Sequence, residues 1–171
     1  VIVCRSIRLN GARFRGEGHI VDVPRTDDVE ADIRAGTIVL HAAYEAFAQC
    51  APVSKMMASC LRSLGLARGF AGDRSGAWPL IESSRDMSRR LGDERGLVSA
   101  EITLAELCFA DDEPDRAIAI ARRILDTRKP NRRQLAVAMG NLTAYLFCLG
   151  RCEEARFTLL LALGEARAPG N

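Results

Sequence analysis

One short pattern occurs three times in this chain of 171 residues. It consists of a leucine followed by a small residue, a turn eight residues after the leucine, and an alanine five residues after the turn. The leucine and alanine of the three copies are Leu64 and Ala77, Leu104 and Ala117, and Leu142 and Ala155. The alanines lie 40 and then 38 residues apart. Because helical repeats recur with periods of roughly 34–47 residues, this spacing predicts repeated helix-turn-helix units.

Apolar periodicity and capping residues predict where these helices begin and end. A lone helix over 27–49 precedes three repeats at about 54–91, 93–127 and 131–167. Ser54 is predicted to cap the first repeat, and Pro114 suits the first turn of a helix, where its missing N–H is not needed. The sequence therefore predicts an all-α protein in which antiparallel helix-turn-helix pairs stack as an α-solenoid over residues 26–171.

The turns and the small residues of the pattern have separate roles. Gly72 and Gly150 are expected to adopt the left-handed conformation that ends a helix, and aspartate is among the few residues that tolerate it at the corresponding Asp112. Small residues after the leucines, such as Gly65 and Ala105, let one helix approach the next closely. The residues that recur therefore explain folding, and the residues that do not recur are the candidates for function.

Residues 1–25 differ from the repeats. They are rich in β-branched residues and contain Asn10-Gly11, a dipeptide favoured in hairpin turns, so a β-hairpin or an irregular arm is predicted. Four of its arginines, Arg5, Arg8, Arg13 and Arg15, lie in a stretch without acidic residues. These arginines could contact phosphates or an acidic partner, or form a solvated strand face.

Composition limits the possible partners and location. A net charge of +2 and 5% aromatic residues disfavour nucleic acid as a partner. The longest uncharged run, 134–150, is too short to span a membrane, so no membrane association is expected. Six cysteines, mostly at apolar helical positions, are typical of free thiols and predict a cytoplasmic protein. Of 24 basic residues 22 are arginine, which indicates a GC-rich bacterial genome.

The threefold pattern resembles the tetratricopeptide repeat (TPR). The segment 64–77 has the Leu-Gly, Gly-Asp and Ala of that motif, and 141–155 has its Asn-Leu, Gly and Ala, whereas the second copy replaces Gly-Asp by Asp112-Glu113. The resemblance covers about two thirds of the chain and implies a right-handed solenoid that binds proteins or peptides. The longer period and the linker 89–96 also resemble the repeat arrays of large bacterial ATP-dependent transcriptional regulators and ATPase-linked cyclases, where the repeats serve as sensor or partner-binding region.

The resemblance also implies which side chains face the concave groove, because the first helix of each repeat lines it in this family. These candidate binding residues are Arg62, Ser63 and Leu66, then Ile102, Thr103, Glu106 and Phe109, then Asn141, Ala144 and Phe147. The family often uses an asparagine at the site of Asn141 to hydrogen-bond a peptide backbone. Only Arg62 matches the basic residues of carboxylate-clamping members, so the apolar candidates favour an amphipathic helix or an apolar peptide instead.

The motifs of common catalytic and metal sites are not found. No lysine directly follows a glycine, as a phosphate-binding loop requires. The serine of Gly72-Asp73-Arg74-Ser75-Gly76 comes one residue too late for a hydrolase nucleophile. His19 and His41 have no further metal ligands at a suitable spacing. We therefore expect a non-catalytic protein- or peptide-binding scaffold without a cofactor or metal, which serves as the sensor or partner-binding region of a bacterial regulatory protein. The alternatives are a structural spacer or oligomerisation segment of a larger ATPase-linked regulator, and an enzyme with its active site assembled across repeats.

Overall fold

A computed structural model describes residues 27–128 and 130–167, and the predicted N-terminal arm lies outside them. The described residues form seven α-helices and no strand, which confirms the all-α prediction for this part of the chain. The helices are α1 (Asp27–Cys50), α2 (Lys55–Phe70), α3 (Arg74–Arg90), α4 (Glu94–Ala110), α5 (Pro114–Thr127), α6 (Arg132–Cys148) and α7 (Cys152–Arg167). Each helix packs against the next one in sequence, and α4 also contacts both α2 and α6.

The helix ends follow from local chemistry. The Ser54 side chain accepts a hydrogen bond from the backbone N–H of Met57 at 3.1 Å, so the predicted cap of α2 is confirmed. Pro114 lies in the first turn of α5, also as predicted. Asn131 begins α6 with a capping box, in which its side chain and that of Gln134 bond each other's backbone N–H groups.

The turns inside the repeated units have the predicted left-handed residues. Gly72, Asp112 and Gly150 have φ values of +88°, +62° and +72°. Asp112 is the one described residue other than glycine with positive φ. Since this conformation costs an ordinary L-residue about 1–2 kcal/mol, Asp112 occupies a position where glycine would be less strained.

Close packing at one small residue joins α2 to α3. A Cβ atom added to Gly65 would lie 2.5 Å from Cγ1 of Ile81 and 3.0 Å from the backbone oxygen of Ala77. Both Ile81 and Ala77 are fully buried, so neither can move aside into solvent. The glycine is therefore required by the short distance between the two helices.

Candidate functional site

The ten residues predicted to line a groove lie on α2, α4 and α6, but they differ in exposure. The exposed ones are Ala144 and Phe147; the half-buried ones are Arg62, Ser63, Leu66, Glu106, Phe109 and Asn141; the buried ones are Ile102 and Thr103. Six half-buried side chains on three neighbouring helices form a surface that a partner could contact. Two of the ten do not belong to it.

Ile102 and Thr103 pack inside the protein, which corrects the expectation that they face a groove. Ile102 is 8% exposed and belongs to a core cluster with Val98 and Ile124. Thr103 is 3% exposed, and its hydroxyl donates to the backbone oxygen of Ser99 at 3.1 Å. Helix α4 contacts both α2 and α6, whereas these two do not contact each other, so α4 is covered on more sides than either of them.

The aromatic candidates also divide. Phe109 stacks on Tyr145 with 4.4 Å between ring centroids and an interplanar angle of 22°, and it packs against the core around Cys108. Phe147, in contrast, is 55% exposed. Fewer of the predicted apolar residues are thus available than the sequence indicates, and the large ones among them are Phe147 and the half-buried Leu66.

Three polar candidates come together, one from each of α2, α4 and α6. The side-chain Nδ2 of Asn141 donates to Oε1 of Glu106 at 2.9 Å. Glu106 also interacts electrostatically with Arg62. We call Arg62, Glu106 and Asn141 the polar cluster. None of the three recurs at its position in the other repeats, so the stacking of the repeats does not require them.

Partial burial changes the acid–base properties of the polar cluster. Removal from water raises the pKa of Glu106, and the hydrogen bond from Asn141 and the positive charge of Arg62 oppose this rise. Burial likewise lowers the pKa of Arg62, opposed by the charge of Glu106. In the described part of the chain the guanidinium of Arg62 has no hydrogen-bond partner, although the group carries five N–H donors. The polar cluster therefore holds charged groups that are partly dehydrated and incompletely paired.

A second ionic cluster, which the sequence analysis missed, lies elsewhere on α4. Glu101 is 1% exposed and accepts hydrogen bonds from Arg128 at 3.2 and 3.3 Å and from Arg123 at 3.4 Å. We call Glu101, Arg123 and Arg128 the ionic network. The signal available in the sequence is a glutamate inside the apolar run that begins at Leu97. Because buried carboxylates are almost always paired, such a residue predicts a nearby basic partner.

The side chain of Trp78 links α3 to the turn before α5. Its indole Nε1 donates to Oδ2 of Asp111 at 2.7 Å, and the guanidinium carbon of Arg116 lies 5.1 Å from the ring centroid. Trp78 also packs against the core formed by Ala77 and Leu107. These contacts give the tryptophan a packing role.

The described residues also bear on metal binding and membrane insertion. They contain no group of three or more His, Cys, Asp or Glu side chains placed to hold a metal ion. None of their helices combines the length and the apolar character needed to cross a membrane. No protein-family model matches the sequence, and no curated protein matches it.

Proposed function

We propose that this chain is a non-catalytic protein- or peptide-binding scaffold of the tetratricopeptide type. In this proposal α2–α3, α4–α5 and α6–α7 are three repeats stacked as a right-handed α-solenoid, and α2, α4 and α6 line its concave face. The contacts of α4 with both α2 and α6 support this arrangement, since first helices of successive repeats adjoin in such an array.

The observation that carries the proposal is the polar cluster. Its three side chains come from three different helices and are half-buried. A partly buried charge that is incompletely paired costs stability, and a protein that gains nothing from it would be expected to replace it. The cost is explained if a ligand completes the hydrogen bonds.

The hydrogen-bonding groups of the polar cluster that remain unused indicate which chemical groups the ligand has. The amide nitrogen of Asn141 is engaged by Glu106, so its Oδ1 atom remains to accept a hydrogen bond from a peptide N–H. The guanidinium of Arg62 can donate to a carbonyl oxygen. Because Glu106 repels a ligand carboxylate at this place, a neutral peptide backbone suits the cluster better than a C-terminal carboxylate. Leu66 and Phe147 would contact apolar side chains of the same peptide.

A regulatory role in a bacterial cytoplasm is part of the proposal. It is supported by the resemblance of the repeat spacing and of the 89–96 linker to the sensor regions of large bacterial regulators. In that setting, peptide binding at α2, α4 and α6 would change the state of a neighbouring domain.

Selection from a random peptide library tests the binding function. The wild-type chain and an Arg62→Ala/Asn141→Ala double variant are each immobilised and exposed to the same displayed library. The wild type should enrich a family of sequences, and the double variant should bind the enriched peptides at least tenfold more weakly. Arg90→Ala, an exposed residue of α3, is the matched control and should bind them as the wild type does.

Two outcomes contradict the proposal. One is that the wild type enriches no peptide family. The other is that the double variant, with an unchanged circular dichroism spectrum, binds the enriched peptides as tightly as the wild type. In either case the polar cluster does not form a peptide site.

A second candidate function, an oligomerisation segment of a larger regulator, is favoured by one observation. Helix α7 packs mainly on α6, with Glu154 also accepting a hydrogen bond from Arg122 of α5 at 2.7 Å, and it exposes several large apolar side chains.

A further inference from the structure

Helix α7 has an apolar stripe directed away from the rest of the described protein. Phe157 is 63% exposed, Leu160 is 57% exposed and Leu161 is 48% exposed. With Gly164 they follow the spacing i, i+3, i+4 and i+7, which places them on one face of a helix. We call these four residues the α7 stripe. An apolar face of this kind normally packs against another helix.

The corresponding positions of α3 and α5 show that the apolar character is specific to α7. Aligned on Ala77, Ala117 and Ala155, the site of Leu160 is Glu82 in α3 and Arg122 in α5. Those two side chains are also exposed. The position is therefore on the surface in all three units, and only in α7 is it occupied by a large apolar residue.

Leu159 shows a different kind of exposure. Its counterparts Ile81 and Ala121 are 0% and 2% exposed, whereas Leu159 is 49% exposed. Because the counterparts are buried by the helix that follows them, a further helix stacked after α7 would be expected to bury Leu159. Such a helix would leave the α7 stripe uncovered, because the corresponding positions of α3 and α5 stay exposed although α4 and α6 follow them.

We propose that the α7 stripe pairs with the α7 stripe of a second copy of this chain, the two helices running antiparallel about a two-fold axis. This interface is additional to the peptide site and does not depend on the polar cluster. A two-fold contact uses the same patch on both copies and closes at the dimer.

The stripe is complementary to itself in one register. With the axis midway between Leu160 and Leu161, Leu160 of one copy lies opposite Leu161 of the other, and Phe157 lies opposite Gly164. A Cβ atom added to Gly164 meets nothing within 4 Å, so open space is present where the phenyl ring of the second copy would pack. The large residue and the gap thus match twice, once on each side of the axis.

Charge favours the antiparallel direction. The first turn of α7 contains Glu153 and Glu154, and its last turn contains Arg167. The side chain of Glu153 is 90% exposed, and its ion pair with Arg156 of the same helix is long, at 3.8 Å, so the carboxylate can also approach a second molecule. In the register given above, antiparallel pairing brings Glu154 of one copy opposite Arg167 of the other and Arg156 opposite Glu165, and it also opposes the two helix dipoles. Parallel pairing would place like charges together at both ends.

Sedimentation equilibrium of the full 171-residue chain tests the proposal. The wild type should have twice the monomer mass of 18.6 kDa. Leu160→Glu should dissociate at least tenfold more readily, because it places two carboxylates at the apolar axis. Ser83→Glu, an exposed substitution at the site of α3 that corresponds to Leu161, is the matched control and should remain dimeric. A wild type that is monomeric at all concentrations, or that grows into species larger than the dimer, overturns the proposal.

Cross-linking tests the same register without relying on a destabilising variant. Under mild oxidation Leu160→Cys should form a covalent dimer several-fold faster than Glu82→Cys, which places the thiol at the corresponding position of α3 and shares the native cysteines. Equal rates for the two variants overturn the proposal. The direction is tested by charge: Glu153→Lys and Arg167→Glu should each weaken the dimer, and their combination should restore it. A combination weaker than either single variant excludes the antiparallel arrangement.

Discussion

Glu101 and Glu106 both lie on α4, but they face different neighbours and their surroundings differ. Glu101 is 1% exposed and is bonded by two arginines whose heads reach solvent. Glu106 is half-buried, accepts one hydrogen bond from a neutral amide, and has an arginine nearby without a direct bond. The pKa of Glu106 is raised by desolvation. The comparison separates a carboxylate whose pairing holds helices together from one whose pairing is left incomplete, and the second kind is where a ligand gains most.

The largest expected effect comes from removing an arginine of the ionic network, and removal of the arginine of the polar cluster is the comparison. Arg128→Met leaves the buried carboxylate of Glu101 with Arg123 alone, at 3.4 Å, and should lower the free energy of unfolding by about 3 kcal/mol. Arg62→Met should lower it by less than about 1 kcal/mol, since Glu106 is partly hydrated. Urea titration followed by circular dichroism at pH 7 measures both. Equal losses would show that the two clusters do not differ in kind.

Neutralising the buried carboxylate is expected to have the next largest effect. Glu101→Gln weakens the charged hydrogen bonds from Arg123 and Arg128 and should cost about 2 kcal/mol at neutral pH. Glu94 pairs with the same Arg128 at 3.8 Å, but its side chain is 65% exposed; Glu94→Gln is therefore the control for an exposed ion pair and should change stability by less than about 0.5 kcal/mol. A loss at Glu101 no larger than at Glu94 would mean that the ionic network does not stabilise the fold.

Asn141→Ala tests the hydrogen bond of the polar cluster. Loss of the bond to Glu106 should cost about 1 kcal/mol and should raise the pKa of Glu106 further, because that bond stabilises the ionised form. Carbon-detected NMR titration of the Glu106 carboxyl group measures the pKa. Ser63→Ala, at the corresponding position of α2, should leave it unchanged. A pKa that does not move in Asn141→Ala would show that the bond is absent in solution.

The smallest effect, but one of opposite sign, is expected for Glu106→Gln. Since burial raises the pKa of Glu106, the ionised side chain destabilises the folded state at neutral pH, and glutamine should increase stability there by less than about 1 kcal/mol. As the pH falls through the raised pKa, wild-type Glu106 takes up its proton and the difference shrinks, to vanish below about 4.5, the ordinary value. Unfolding titrations at a series of pH values measure it. If the variant is less stable than the wild type at pH 7, the ionised Glu106 stabilises the fold, as Glu101 is expected to do.

The sequence was sufficient for features that depend on local backbone chemistry. Gly72, Gly150 and Asp112 could be assigned left-handed conformations because few residues adopt them, and Ser54 could be assigned as a cap from its side chain alone. Gly65 was recognised as a small packing residue because it occupies a repeated position. In each case a short segment contains all the information required.

Features that depend on how helices are arranged in space could not be predicted in the same way. Ile102 and Thr103 occupy positions on the first helix of a repeat that were expected to be exposed. They are buried because α4 contacts α2, α3, α5 and α6, and the repeat pattern does not predict how many helices surround α4. Asn141 and Glu106 were each singled out, yet their hydrogen bond joins different positions of two repeats. Arg128 follows the last residue of α5, where its direction depends on the connection to α6.

The contacts of Trp78 make it an intrinsic fluorescence probe of one helix junction. It is the only tryptophan, and its ring lies between Arg116 and the carboxylate of Asp111 at the junction of α3 with the turn before α5. Its fluorescence therefore reports the state of one junction rather than the average of the molecule. Opening of that junction should shift the emission towards longer wavelengths, as the indole becomes hydrated. Pairing through the exposed α7 stripe, on the side of α7 away from the rest of the described protein, should leave the emission as it is.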